Sequence, residues 1–133
     1  MSVVADCRTH LLTQSGITDL VGTRVYFDNL PQSATLPSIV VYQAGDDLVR
    51  HLDAADTLSR VGLQVDVYAT THEAADGVAT VLINVIEMDV DSWGASTTRR
   101  AYVDSVVAGV NEPRDGSDAW RHLRILSCSV WIA

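Results

Sequence analysis

Lysine is missing from this sequence; all nine basic residues are arginine. Seventeen acids oppose them, which leaves a formal net charge of −8. Tight binding of duplex DNA needs clustered cations, so this balance argues against duplex DNA as a tightly held ligand. It suits a soluble surface, or one that DNA must slide past without sticking. Cysteine is scarce as well, with only Cys7 and Cys128. Cys7 falls in a helical apolar pattern and Cys128 in a strand pattern, so both read as buried free thiols rather than a disulfide framework. Long apolar runs are absent: residues 38–42 and 78–86 fall far short of the ~20 residues that cross a bilayer. Residues 2–13 carry Asp6, Arg8 and His10, which interrupt the apolar stretch a secretory signal needs. No membrane partner is expected. There is no internal repeat, linker or low-complexity tail.

What is present is ordinary globular material, 47% hydrophobic and 20% charged over 133 residues. That length fits a single domain spanning residues 1–133. Val3, Val4, Cys7, Leu11 and Leu12 recur at helical spacing, so residues 2–13 predict an amphipathic helix, capped by Ser2 and ended by Ser15 and Gly16. A short helical turn or loop follows and closes at Gly22. Residues 24–28 predict a strand rich in β-formers, and residues 38–43 a second one, apolar on both faces. Residues 44–55 read equally as a strand extension or a loop. Residues 58–69 alternate cleanly: Val61, Leu63, Val65 and Val67 on one face, Gly62, Gln64, Asp66 and Tyr68 on the other. Thr71 then caps a helix over residues 72–88, with the apolar stripe Ala75, Val78, Leu82, Val85 and Ile86. Gly77 inside that helix would allow close packing on a sheet. Residues 101–109 alternate imperfectly, placing Val103 and Val107 on one face and Tyr102, Asp104 and Val106 on the other. Residues 120–132 make the last strand, paired with the one before it. The fold class is therefore α+β: a single mostly antiparallel β-sheet with two main helices packed on one face.

Chemistry is hard to find. His10, His51, His72 and His122 are scattered, and no two have metal-ligand spacing. No phosphate-binding glycine loop and no nucleophile elbow occurs. Residues 89–100 place acids at loop positions one and three and glycine at six, as a calcium-binding EF loop does. Trp93 stands at position five, however, and Arg100 stands where a bidentate glutamate should close the site. Asp46, Asp47, Asp53 and Asp56 fit no motif and read as a solvated acidic segment. No cofactor or metal is expected. Trp93, Trp120 and Trp131 are too many for a small monomer to bury easily. At least one is expected in a protein interface, where Trp and Arg are the usual anchors.

Several segments in fixed order give a further lead: LVGTRVY (20–26), LP (30–31), LPSIVV (36–41), VDVYAT (65–70) before an alanine-rich helix, NEPRD (111–115) and WRH (120–122). Each is weak alone. Together, over nearly the whole chain, they resemble the tail completion proteins of long-tailed bacteriophages, the group that includes tail terminators and tail-to-head joining proteins. The resemblance implies a non-enzymatic virion protein at the head-proximal end of the tail, assembled in the host cytoplasm. It implies a homohexameric ring that caps the tail tube, contacts the major tail tube protein and a neck or head-completion protein, and lets DNA pass through its lumen. It carries no catalytic residue onto this chain.

Polarity and length alone select the candidate contacts with such neighbours. They are Asp46, Asp47, Arg50 and Asp53 in residues 44–55, Trp93 in the loop 89–98 with Arg99 beside it, and Arg114, Asp115 and Trp120 in or beside the turn 112–118. Two other readings stay open. One is a neck or head-completion ring. The other is a small ligand-binding or enzymatic α+β domain using an acidic pocket around Asp46, His51 and Asp53.

Overall fold

A computed structural model describes residues 3–31, 35–50, 57–87, 98–111 and 121–132, with side chains over 3–31, 35–44, 60–87, 101–109 and 121–131. In chain order the elements are α1 (Val3–Thr13), α2 (Ser15–Val21), β1 (Val25–Phe27), β2 (Ser38–Arg50), β3 (Thr57–Ala69), α3 (His72–Glu87), β4 (Thr98–Asn111) and β5 (Arg121–Ile132). The five strands form one sheet in the order β1-β2-β3-β5-β4. Only β1 and β2 run parallel; β2–β3, β3–β5 and β4–β5 are antiparallel. This is the α+β class read from the sequence.

All three helices lie on one face, because the apolar residues of β3 leave only one face to cover. Val61, Leu63, Val65 and Val67 are buried there with Ile39 and Val41 of β2 and Leu126, Cys128 and Val130 of β5. From the helices, Val3, Val4, Cys7, Leu11, Ile17 and Val21 join the core, as does the α3 stripe of Val78, Ala79, Leu82, Val85 and Ile86. Burying such side chains contributes about 1.5–3 kcal/mol each against exposure. Cys7 and Cys128 are free and buried within this layer. Burial pushes the Cys128 thiol up to about 12 and raises Cys7 as well, chiefly for the same reason. Neither sulfur is therefore a ready thiolate at neutral pH.

Caps and ties set where the helices begin and end. The Thr71 hydroxyl accepts from the Ala74 N–H at 3.1 Å, as its place before α3 predicts. At the far end of α3 the buried His10 ring places Nε2 3.2 Å from the Val85 carbonyl, one of the carbonyls a helix end leaves unpaired. Burial lowers the His10 pKa, with the Val85 bond opposing, so the neutral ring donates from Nε2. Gly22 closes α2 at φ +60° and ψ −127°, a backbone region closed to residues with a Cβ.

Three expectations need correction, and one open reading is resolved for residues 44–50. Ser15 and Gly16 do not end α1; they begin α2, the helical one of the two readings for the stretch before Gly22. Only Gln14, extended at φ −96° and ψ 116°, separates α1 from α2. Gly16 matters for approach instead: a Cβ there would stand 3.3 Å from Val81 of α3. Gly77 is not a packing glycine, for it faces open space with nothing within 4 Å of a Cβ. Residues 44–50 continue β2 as strand, past an irregularity between Gln43 and Gly45. Finally, β4 carries an extra residue between Val103 and Ser105. This bulge at Asp104 reverses the alternation. Val103 and Val106 consequently share the helix-bearing face with their partners Cys128 and Leu126, while Val107 turns to the other face beside Ile125.

Candidate functional site

The residues singled out from the sequence divide in two. Asp46, Asp47 and Arg50 belong to the strand β2, where they pair with Val61, Arg60 and Thr57 of β3; they are not in a loop. Arg99 is in β4, the additional residue between Thr98 and Arg100 in the pairing with β5. Asp53, Trp93, Arg114, Asp115 and Trp120 lie outside the described residues, as do His51 and the near-EF loop before Thr98. Among the described residues no three His, Cys, Asp or Glu side chains gather as metal ligands would. Nor is any described helix long and apolar enough to cross a membrane.

Three polar arrangements emerge that the sequence pattern did not show. The first lies beneath the start of α3. Arg124, with its side chain 6% exposed, donates from Nε to Asp76 Oδ1 at 2.7 Å. It also donates to the Leu123 carbonyl at 2.8 Å and to His72 Nδ1 at 2.8 Å. An arginine can only donate, so His72 Nδ1 is the unprotonated nitrogen. Its Nε2 then faces Asp76 Oδ2 at 3.3 Å. The Arg124 hydrogen bond holds the Asp76 carboxyl below the usual carboxylate range; the charge of Arg124 adds to this, and burial opposes it.

The second and third lie on the sheet face that the helices leave uncovered. Asp66 accepts from Gln64 Nε2 at 3.1 Å and from the Tyr42 hydroxyl. Burial nevertheless raises the Asp66 pKa, with these two bonds opposing it, and also lifts Tyr42 to about 12. A carboxyl with a raised folded-state pKa favours folding when protonated, and that advantage is lost as pH rises through the folded value. Asp66→Asn is therefore expected to raise the thermal midpoint at pH 7 by a few degrees, roughly 1 kcal/mol. A thermal melt showing the variant less stable than the parent at pH 7 would contradict this. Further along, Arg60 Nε donates to Ser129 Oγ at 3.0 Å, and Ser129 donates in turn to Asp104. The Arg60 and Asp104 charges stand 3.8 Å apart. These groups satisfy one another, and the Ser129–Asp104 pair includes no histidine.

Exposed apolar side chains are the other surface feature. Phe27, Tyr102, Val106 and Val107 are all exposed, and they occupy the two edge strands, β1 and β4. The Arg8 guanidinium lies 5.4 Å from the Phe27 ring centre, while its Nε donates to the Val25 carbonyl at 2.8 Å. Beside Phe27 is an open groove of about 440 Å³ lined by Val4, Ala5, Phe27, Asp28 and Gln43. Broken alternation in β4 was the one trace of this surface in the sequence.

The polar clusters satisfy themselves, and the apolar side chains exposed on the two edge strands are the surface features left open to another protein. Comparison with known proteins agrees. The family described as "Tail completion protein gp17" matches residues 5–125, and the chain belongs to that family. Among solved structures, a chain of the "Virion of native gene transfer agent (GTA) particle" is similar with a TM-score of 0.65 and 15% identity, over 97% of this chain and 93% of that one. At that identity the likeness shows the fold. No curated protein matches the chain. The protein is thus a structural component of a virion tail.

Proposed function

We propose that this chain forms a homo-oligomeric ring, a hexamer, that terminates the tail tube and joins it to the head or neck while DNA passes through its lumen. Family membership over residues 5–125 carries the reading. The protein acts as a structural part and not as an enzyme. Its partners are copies of itself, the major tail tube protein and a neck or head-completion protein. The net charge of −8 keeps transiting DNA from adhering. The two ends of the sheet supply distinct surfaces, which a ring of identical subunits needs.

Electron microscopy of the purified protein should show rings, and particles assembled without it should show tails detached from heads. A protein that stays monomeric at high concentration, together with virions holding no copy at the tail–head junction, would end this reading.

A further inference from the structure

One row of residues crosses all five strands in register: Phe27, Val41, Val65, Leu126 and Val106. Its three inner members are fully buried, whereas Phe27 is 43% and Val106 42% exposed. Cross-strand partners point to the same face, so both ends of the row stand on the helix-bearing face. At one end lies the groove beside Phe27. At the other, Val106 stands as an apolar ridge on that face, and Val107 is exposed on the opposite face of the same strand.

A second row reads Asp47, Arg60, Trp131 and Arg100. β1 pairs only with residues 39–41 of β2, so among the described residues no strand flanks 45–50 on that side. Asp46 and Asp47 stand in that stretch. Arg99 and Arg100 stand at the same height on β4, at the opposite edge. The two edges thus match twice, apolar with apolar at one height and acid with base at another.

Resting on the ring reading above, the geometry points to a head-to-tail contact between copies of this chain. The Val106 ridge of one copy seats in the Phe27 groove of the next, and Arg99 and Arg100 come to the height of that copy's Asp46 and Asp47. The contact is made by side chains and not by adding strand to strand, because both edges are already guarded. On β1, the Val25 N–H donates to the Thr23 carbonyl, the Val25 carbonyl takes Arg8, and the Phe27 carbonyl takes the Asn29 N–H. On β4, the Val103 N–H donates to Glu87 Oε2 at 3.0 Å, and two register shifts break the ladder. Two different patches in contact make a heterologous interface, which continues from copy to copy. Such a contact gives a ring where the rotation from copy to copy closes.

Native mass spectrometry of the wild type, Val106→Glu and Phe27→Glu tests this, with circular dichroism confirming the fold of each. The wild type should be an oligomer, and each variant should fall to the 14.4 kDa chain. Mixed in equal amounts, the variants should form a species of two chains and nothing larger: Val106→Glu keeps an intact groove, Phe27→Glu an intact ridge. As a second route, Arg100→Glu should disperse the oligomer and the double variant Arg100→Glu, Asp47→Arg should restore it. An oligomer indifferent to Val106→Glu and Phe27→Glu, or a charge swap that restores nothing, overturns this contact and leaves the ring reading standing. A monomeric wild type overturns this contact, and with virions that hold no copy at the tail–head junction it overturns the ring reading too.

Discussion

Replacing Leu82 with alanine is expected to lower stability by about 3 kcal/mol, within the usual range for a buried leucine. Leu82 is fully buried at the middle of the α3 stripe, where the helix lies on the sheet. Its neighbours along the stripe, Val78, Val85 and Ile86, are themselves held by that contact, so the space cannot collapse without moving the helix. The cost has two parts, the lost transfer of the side chain from water and the cavity left behind. In a chain of this size the thermal midpoint should fall by about 10 °C. Gly77→Ala provides a control of opposite sign on the same helix. It faces open space, so alanine should add about 1 kcal/mol through helix propensity. Calorimetry of both variants decides the matter. A Leu82→Ala midpoint within 2 °C or so of wild type would mean that α3 is not the seam of the core.

Leu82 also shows why much of the fold was legible. Helix α3 and strand β3 each carry one uninterrupted period, 3.6 residues and two respectively, and each buries a single face. Thr71 before α3 caps it as its type and place imply. Legibility stopped where the period breaks for a reason remote in sequence. Asp104 is an extra residue in β4 because Val103 and Ser105 must pair with adjacent residues of β5, Cys128 and Ser127. No local signal announces that, and it is what moves Val106 to the helix face. The acidic stretch at Asp46 and Asp47 resembles a loop by composition, yet pairing with β3 holds it in a strand. Gly16 resembled a helix stop because glycine usually is one; its role depends on α3, some sixty-five residues later.

The candidate site was less legible for a related reason. Polarity picked out residues such as Asp46 and Arg99, and charge enters the proposed edge-to-edge contact as one half of it. The other half, Phe27 and Val106, consists of apolar residues that a sequence reader assigns to the core. Whether an apolar residue in a strand is buried depends on whether that strand has a neighbour on each side and a layer above it. Strand order decides this, and β1 and β4 are the two edges.

Arg124 is the second position where a large effect is expected. By alternation it shares a face with Leu126, Cys128 and Val130, an apolar face where an arginine needs partners. It finds them in Asp76 and His72, which the first turns of α3 bring over the sheet. Arg124→Ala removes both the packed stem and the charge-assisted hydrogen bonds, and should cost about 2–3 kcal/mol near neutral pH. Arg124→Met keeps the stem and should recover part of that loss. The pH dependence separates the two contributions. Asp76 has a folded-state pKa held below the ordinary value, first by its bond to Arg124. A depressed carboxyl contributes stability that is present above its unfolded pKa of about 3.9 and is lost as pH falls through the lower folded value. The gap between wild type and Arg124→Ala should therefore be full at pH 6 and narrow on acidification below about pH 4. Urea unfolding at a series of pH values measures it. A gap of constant size down to pH 2 would assign the whole effect to packing, and no gap at pH 6 would remove Arg124 from the account of how α3 is held to the sheet.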